Sequence, residues 1–169
     1  NPMSVARKGV ASAVLNGKLY AIGGWELSSV EIFDPQTGQW STGPSLPSIV
    51  TYGTAIAVGG KILLVGGYNG SQYINQVLEL DPATNQWESL NPLSVNRQGV
   101  AASVLNGKLY AIGGQDLSSV EIFDPATGQW SAGPALPSEV NHGTAITVDG
   151  KILLVGGMNS ADQNINQVL

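Results

Sequence analysis

Four glycine doublets, each closing a short apolar run, punctuate the 169-residue chain at Gly23-Gly24, Gly66-Gly67, Gly113-Gly114 and Gly156-Gly157. Their spacings of 43, 47 and 43 residues define four units. A longer period overlies the short one. Residues 1–67 and 91–157 differ at only 15 of 67 positions, so units one and two recur as units three and four. A one-residue insertion then shifts Ile74 onto Ile165. Periods in this range mark repeat architectures in which each unit is too small to bury its apolar faces alone. The units run over about 5–47, 48–93, 94–137 and 138–169.

Each unit reads as four short strands. The first strands are 9–16, 54–58, 99–106 and 144–148, and the second are 18–24, 61–67, 108–114 and 151–157. Between them stand Asn16-Gly17, Gly59-Gly60, Asn106-Gly107 and Asp149-Gly150. These pairs tolerate the positive φ angles of a two-residue hairpin turn. The run Leu63, Leu64, Val65 is continuously apolar, as in a strand covered on both faces. Third strands follow at 29–34, 76–81 and 119–124, although Glu79 does not share the apolar pattern of Ile32 and Ile122. Asp34, Asp81 and Asp124 each precede a proline and open a turn, and a fourth strand begins near Trp40, Trp87 and Trp130. An Asp in that place accepts backbone hydrogen bonds, which makes it a turn former and a poor base for paired acid–base chemistry. No window escapes these turn signals long enough for a helix.

Small antiparallel sheets shield their faces by stacking around an axis, which is the propeller solution for an all-β chain. The recurrent Trp40, Trp87 and Trp130 are assigned to packing between neighbouring sheets, and the glycine doublets to structure as well. Tyr20 and Tyr110 before their doublets, with the tryptophan beyond, resemble the kelch repeat; Leu63 and Leu153 depart from its aromatic preference. The resemblance covers essentially the whole chain. It implies a kelch-type β-propeller made of four repeat units of four-stranded antiparallel sheet. The last unit is expected to be incomplete, because its tryptophan would fall at position 178, past Leu169. Three arrangements are consistent with this: a fragment of a longer propeller, which is the favoured one, a closed four-bladed ring, or a homodimer completing an eight-bladed ring.

Composition removes most chemistry. The chain holds no cysteine and one histidine, which excludes thiolate nucleophiles, redox pairs and sulfur-based metal centres. The glycine doublets lack the GxGxxG and GK[ST] patterns and precede no helix, so they are not phosphate loops. No nucleophile elbow or zinc-protease signature is present. The chain is therefore expected to be no enzyme, with no metal and no cofactor. A net charge of −5 offers no polycationic surface, so nucleic acid is not an expected partner. No apolar run reaches 18 residues, so no membrane-spanning helix is expected.

What remains is binding. In a four-stranded meander, the connections between strands two and three share one end with those between units, while the tight turns crowd the other. The two near-identical halves differ at that first end: Trp25 against Gln115, Tyr68 against Met158, Ile49 against Glu139, Thr51 against Asn141, and Tyr52 against His142. The candidate rim is Trp25, Tyr52, Tyr68, Gln115, His142 and Met158, with Arg7 and Arg97 as residues that either meet ligand carboxylates or clamp adjacent units. The resemblance implies a noncatalytic module binding a protein or peptide. Trp25 and the polar rim keep a glycan-binding alternative open, and a purely structural, self-assembling propeller fragment is the third reading.

Overall fold

The computed structural model describes residues 1–161, 163 and 164. Unit one is a sheet of β1 (Ala11–Leu15), β2 (Lys18–Gly24), β3 (Leu27–Asp34) and β4 (Gln39–Thr42). Unit two holds β5 (Thr54–Val58), β6 (Lys61–Val65), β7 (Val77–Asp81) and β8 (Gln86–Ser89). Unit three holds β9 (Ala101–Leu105), β10 (Lys108–Ile112), β11 (Val120–Asp124) and β12 (Gln129–Ala132). Unit four contributes β13 (Thr144–Val148) and β14 (Lys151–Val155). Strands pair in chain order and antiparallel throughout, and unit four is a two-stranded sheet among the described residues. The expected third strand of that unit, at Val168-Leu169, and Ile165 lie outside the described residues.

The architecture is the all-β propeller arc expected from the repeat. First strands of successive units face one another, β1 against β5, β5 against β9 and β9 against β13. No comparable packing joins β13 to β1 among the described residues, so the four units form an open arc rather than a closed ring. The hairpin turns take the left-handed backbone expected of them, with φ of 51° at Asn16, 52° at Asn106 and 48° at Asp149.

Alternation along a strand assigns each side chain to one of two cores. In β6, Ile62 and Leu64 join the cluster shared with unit one, whereas Leu63 and Val65 join the cluster shared with unit three. All four are buried, which explains the unbroken apolar run. Complete burial of one such side chain is worth about 1.5–3 kcal/mol, so each interface between units is held by several strongly contributing groups. The misfit at Glu79 also resolves. It occupies the position of Ile32 but pairs with Lys61 across the sheet.

The doublets have a specific cause. A Cβ on Gly66 would lie 2.4 Å from the carbonyl oxygen of Arg97 in the segment leading to unit three, and the same clash recurs at Gly23 with Val50 and at Gly113 with Val140. The second glycine of each pair then donates its N–H to that same carbonyl: Gly24 to Val50, Gly67 to Arg97 and Gly114 to Val140. Two backbones approach this closely only where no side chain intervenes. The doublet is therefore a joint between consecutive units.

The tryptophans do related work. Trp87 lies against the core between units one and two, and its indole N–H donates to the carbonyl of Pro44 at 2.9 Å. Trp130 packs on the next core and donates to Asn91 at 2.8 Å. Trp40 tilts against Phe33 with ring centroids 5.2 Å apart and donates to Asn1. Each indole combines apolar burial with a satisfied polar edge.

Candidate functional site

The connection between β2 and β3, its counterpart between β6 and β7, and the segments entering each first strand lie at one end of the sheets. At the other end the turns are short and self-satisfied: Asp34, Asp81 and Asp124 accept the N–H groups of Gln36, Ala83 and Ala126. Binding geometry therefore has to be sought at the first end, which is also where the two halves of the sequence differ.

There the structure brings three aromatic rings from two units together. Trp25 follows the doublet of unit one and Tyr68 that of unit two; their rings stack with centroids 6.4 Å apart and planes 18° from parallel. Tyr68 meets Tyr73 edge-on at 6.0 Å. Lys8 places its ammonium 5.7 Å from the centre of the Trp25 ring, within cation–π range. Trp25 is 49% exposed, and Tyr73 is exposed too. A concavity of about 130 Å³ opens beside the strip, lined by Trp25, Glu26, Ile49, Thr51, Tyr68 and Gly70.

Backbone bonds hold these rings in place. Tyr68 and Thr51 exchange both N–H···O bonds, at 2.8 and 3.0 Å, and Trp25 donates its N–H to the carbonyl of Lys8 at 2.8 Å. The loop between Tyr68 and Tyr73 is tied by the Asn69 side chain, which accepts from the N–H groups of Ser71 and Gln72. The backbone that carries the strip is thus tied by hydrogen bonds before any ligand arrives, which reduces the ordering cost of binding.

In the second half the same backbone carries different chemistry. Met158 exchanges backbone bonds with Asn141 as Tyr68 does with Thr51, and bridges to Asn164 as Tyr68 does to Tyr73. Gln115 stands where Trp25 does and accepts a hydrogen bond from the Asn141 side chain at 2.9 Å. Gln115 and Met158 therefore form no aromatic platform.

Tyr52 and His142 sit apart from the strip, near the axis. Their rings meet edge-to-face at 5.5 Å, over a polar depression shared with Gly9 and Gly99. All four residues hold the same place in their units and share a left-handed backbone, with φ of 64°, 54°, 61° and 56° for Gly9, Tyr52, Gly99 and His142. A ladder of N–H···O bonds runs through them, from Tyr52 to Gly9, Gly99 to Tyr52 and His142 to Gly99. That ladder accounts for the unusual φ at Tyr52 and His142, since tertiary bonds over-determine it.

Arg7 and Arg97 do not belong to the rim, and the sequence-based placement of both there is corrected. Both side chains are completely buried. Arg97 donates to the carbonyls of Gly113 and Ser119 and pairs with Glu121 at 3.0 Å, and Arg7 does the same with Gly23, Ser29 and Glu31. Burial pushes the Arg97 guanidinium below its ordinary pKa, against the opposing pull of Glu121. Burial alone would raise the Glu31 carboxyl, but hydrogen bonds from Ser4 and Arg7 outweigh it and hold the group below its usual range. With every donor satisfied internally, neither arginine reaches a ligand. The backbone of Arg97 completes a clamp: its N–H donates to Ile74 in unit two while its side chain grips unit three.

Two residues of the strip escaped the sequence reading, Lys8 and Tyr73. Both carried a signal, because Lys8 stands against Gln98 and Tyr73 against Asn164 once the insertion is taken into account.

The KLHDC2/KLHL20/DRC7 Kelch-repeats domain model matches residues 1–157. Among curated proteins, the chain is 33% identical to alpha-scruin of Limulus polyphemus over 129 residues, 70% of this chain and 14% of that protein. It is 29% identical to Kelch repeat and BTB domain-containing protein 12 of Danio rerio over 132 residues, 68% of this chain and 21% of that protein. Kelch-like protein 21 of Homo sapiens is 34% identical over 88 residues, 52% of this chain and 15% of that protein. The chain thus spans about a fifth or less of the length of these relatives.

Proposed function

This chain belongs to the kelch-repeat family, and from that premise we propose that it is a noncatalytic module that captures a protein or peptide segment on the Trp25–Tyr68–Tyr73 strip. Kelch-repeat relatives typically mediate protein–protein interaction, which supports a protein as the class of partner. The observation that carries the reading is the strip itself: three aromatic rings from two units, held by backbone bonds, beside a concavity and under one cation. Clustered aromatic side chains on a rigid frame are what dominates binding energy at protein interfaces. The complementary ligand is an extended segment with an apolar anchor for the concavity and a carboxylate near Lys8.

The glycan alternative has less support. The ring of Trp25 is already engaged by Tyr68 and Lys8, which leaves a smaller free face for a sugar to stack on.

The test is selection of peptides from a displayed library on the immobilised 169-residue chain, followed by calorimetry with the winning sequence. Trp25→Ala and Tyr73→Ala are expected to weaken binding at least about tenfold, the loss of one interface anchor, while Gln115→Ala leaves it unchanged. Peptides bound equally well by all three variants would place recognition elsewhere. Glycan-array binding that disappears with Trp25→Ala, in the absence of any selected peptide, would replace this reading with the carbohydrate one.

A further inference from the structure

Resting on the strip as the site of peptide capture, we infer that the captured segment is an extended strand read at alternate residues. An aliphatic side chain enters the concavity beside Trp25, and a carboxamide two residues along enters a second hollow beside Tyr73. The main chain of the segment bonds to the free backbone edge of Tyr73.

That edge follows from the pairing at the rim. Tyr68 spends its own N–H and C=O on Thr51. Its antiparallel bridge to Tyr73 is closed by the neighbouring residues instead, with the Ile74 N–H on the Gly67 carbonyl at 2.9 Å and the Asn69 N–H on the Gln72 carbonyl at 3.1 Å. Residues facing one another in such a pair turn their own N–H and C=O outward. Those of Tyr73 therefore point away from Tyr68, and they meet no backbone partner among the described residues. An unpaired donor and acceptor side by side are what an added strand takes up.

Two hollows meet at Tyr68, and their chemistry differs. The concavity of about 130 Å³ has Trp25, Ile49 and Tyr68 as apolar walls, and Glu26 beside them repels an acidic anchor. The second hollow, broader at about 420 Å³, is lined by Tyr68, Ser71, Gln72, Tyr73 and Asn96. None of these five carries a charge. The amides of Gln72 and Asn96 stand exposed there, and each both donates and accepts. Their match is a neutral group of the same kind, the carboxamide of Asn or Gln.

Spacing sets the register. The rings advance along the strip by 6.4 Å and then 6.0 Å, and side chains on one face of an extended chain are about 6.6–6.8 Å apart. Four residues of helix advance about 6.0 Å as well. A helix, however, keeps its main-chain groups to itself and would leave the edge of Tyr73 unpaired. The second half of the chain repeats neither hollow's chemistry: Gln115, Glu139 and Met158 stand where Trp25, Ile49 and Tyr68 do, and Ala6 stands where Asn96 does.

The probe is a displayed library of random peptides panned on the 169-residue chain. Enriched sequences are expected to carry an aliphatic residue and an Asn or Gln two positions apart. N-methylation of one backbone amide of the winning peptide should weaken binding at least about tenfold, and Asn96→Ala about fivefold, the loss of a neutral hydrogen bond. Asn96→Ala should leave unchanged the affinity for a peptide whose carboxamide residue is itself replaced by Ala. The variant keeps the fold, since Ala6 already occupies the equivalent place in unit one. A spacing of three or four residues, with a helical circular dichroism signal from the bound peptide, would overturn the inference while leaving the strip as the site if Trp25→Ala still weakens binding. Affinity unmoved by Asn96→Ala, or by N-methylation at every position, would overturn it in the same way. If panning yields no peptide, the inference and the reading it rests on fall together.

Discussion

Gly67 donates its backbone N–H to the carbonyl oxygen of Arg97 at 2.6 Å, across the boundary between units two and three. The arginine then turns its side chain into unit three, where it meets Glu121. One residue thereby ties two sheets, and the glycine-to-carbonyl joint recurs along the arc with a valine in the arginine's place, at Gly24 with Val50 and at Gly114 with Val140. It ranks positions by the damage their substitution should do.

Gly66→Ala is expected to destabilise by about 2–4 kcal/mol, from strain at a left-handed residue plus collision with the Arg97 carbonyl. Gly59→Asn provides the control, since Gly59 shares a φ of 60° but has nothing near its missing Cβ. Its urea midpoint should stay close to that of the unmodified chain. Equal losses in the two variants would mean that conformation alone matters at the doublet.

Arg97→Met should cost about 3–5 kcal/mol, because it leaves Glu121 and the carbonyls of Gly113 and Ser119 buried without their donor. Chemical denaturation measures this directly. An arginine on a binding rim would instead leave stability unaltered.

Trp87→Phe keeps most of the apolar packing but removes the hydrogen bond to Pro44. A loss of about 0.5–1.5 kcal/mol for the bond, plus a small packing deficit, is expected in urea unfolding. A neutral result would show that the indole N–H finds water equally well.

Acid should weaken the fold through carboxylates held below their ordinary range. In Glu31, hydrogen bonds from Ser4 and Arg7 overcome the opposing effect of burial. The backbone N–H of Gln36 and then Lys18 act on Asp34, and Lys108 and then the N–H of Ala126 act on Asp124. A folded pKa below the unfolded one means that the stabilisation is complete above the ordinary carboxylate range, about pH 4, and disappears as pH falls through the lowered values. The urea midpoint should therefore be level from neutrality down to about pH 5 and drop below it. Glu31→Gln should show a shallower drop, and a drop as steep as in the unmodified chain would remove Glu31 from the account.

Replacing Trp25, Tyr68 and Tyr73 together by Gln, Met and Asn gives unit one and unit two the side chains of their copies. Because Met158 and Asn141 keep the backbone bonds of Tyr68 and Thr51, this triple variant should retain its melting temperature and lose peptide binding. A lower melting temperature would assign the rings to stability instead.

Strand positions, hairpin turns and the turn role of Asp34, Asp81 and Asp124 were legible in the sequence because each depends on neighbours a few residues away, repeated four times over. The rim was legible in part: substitutions between the halves picked out Trp25 and Tyr68, yet missed Tyr73 and Lys8, and drew in Arg7 and Arg97. The sequence left both arginines between a ligand contact and a clamp of adjacent units, and only the fold supplies the carbonyls and carboxylate that decide for burial.

Period and local chemistry, then, belong to the sequence by itself, and with them the kelch-repeat class and the end of the sheets that varies. Contact across units belongs to the tertiary structure. Trp25 and Tyr68 lie far apart along the chain, and whether their rings meet depends on how closely two sheets stack. That distance is set by the Gly–carbonyl joints and the apolar layers between them. Repetition announces such joints without specifying their geometry, because the geometry arises only when both surfaces exclude water together.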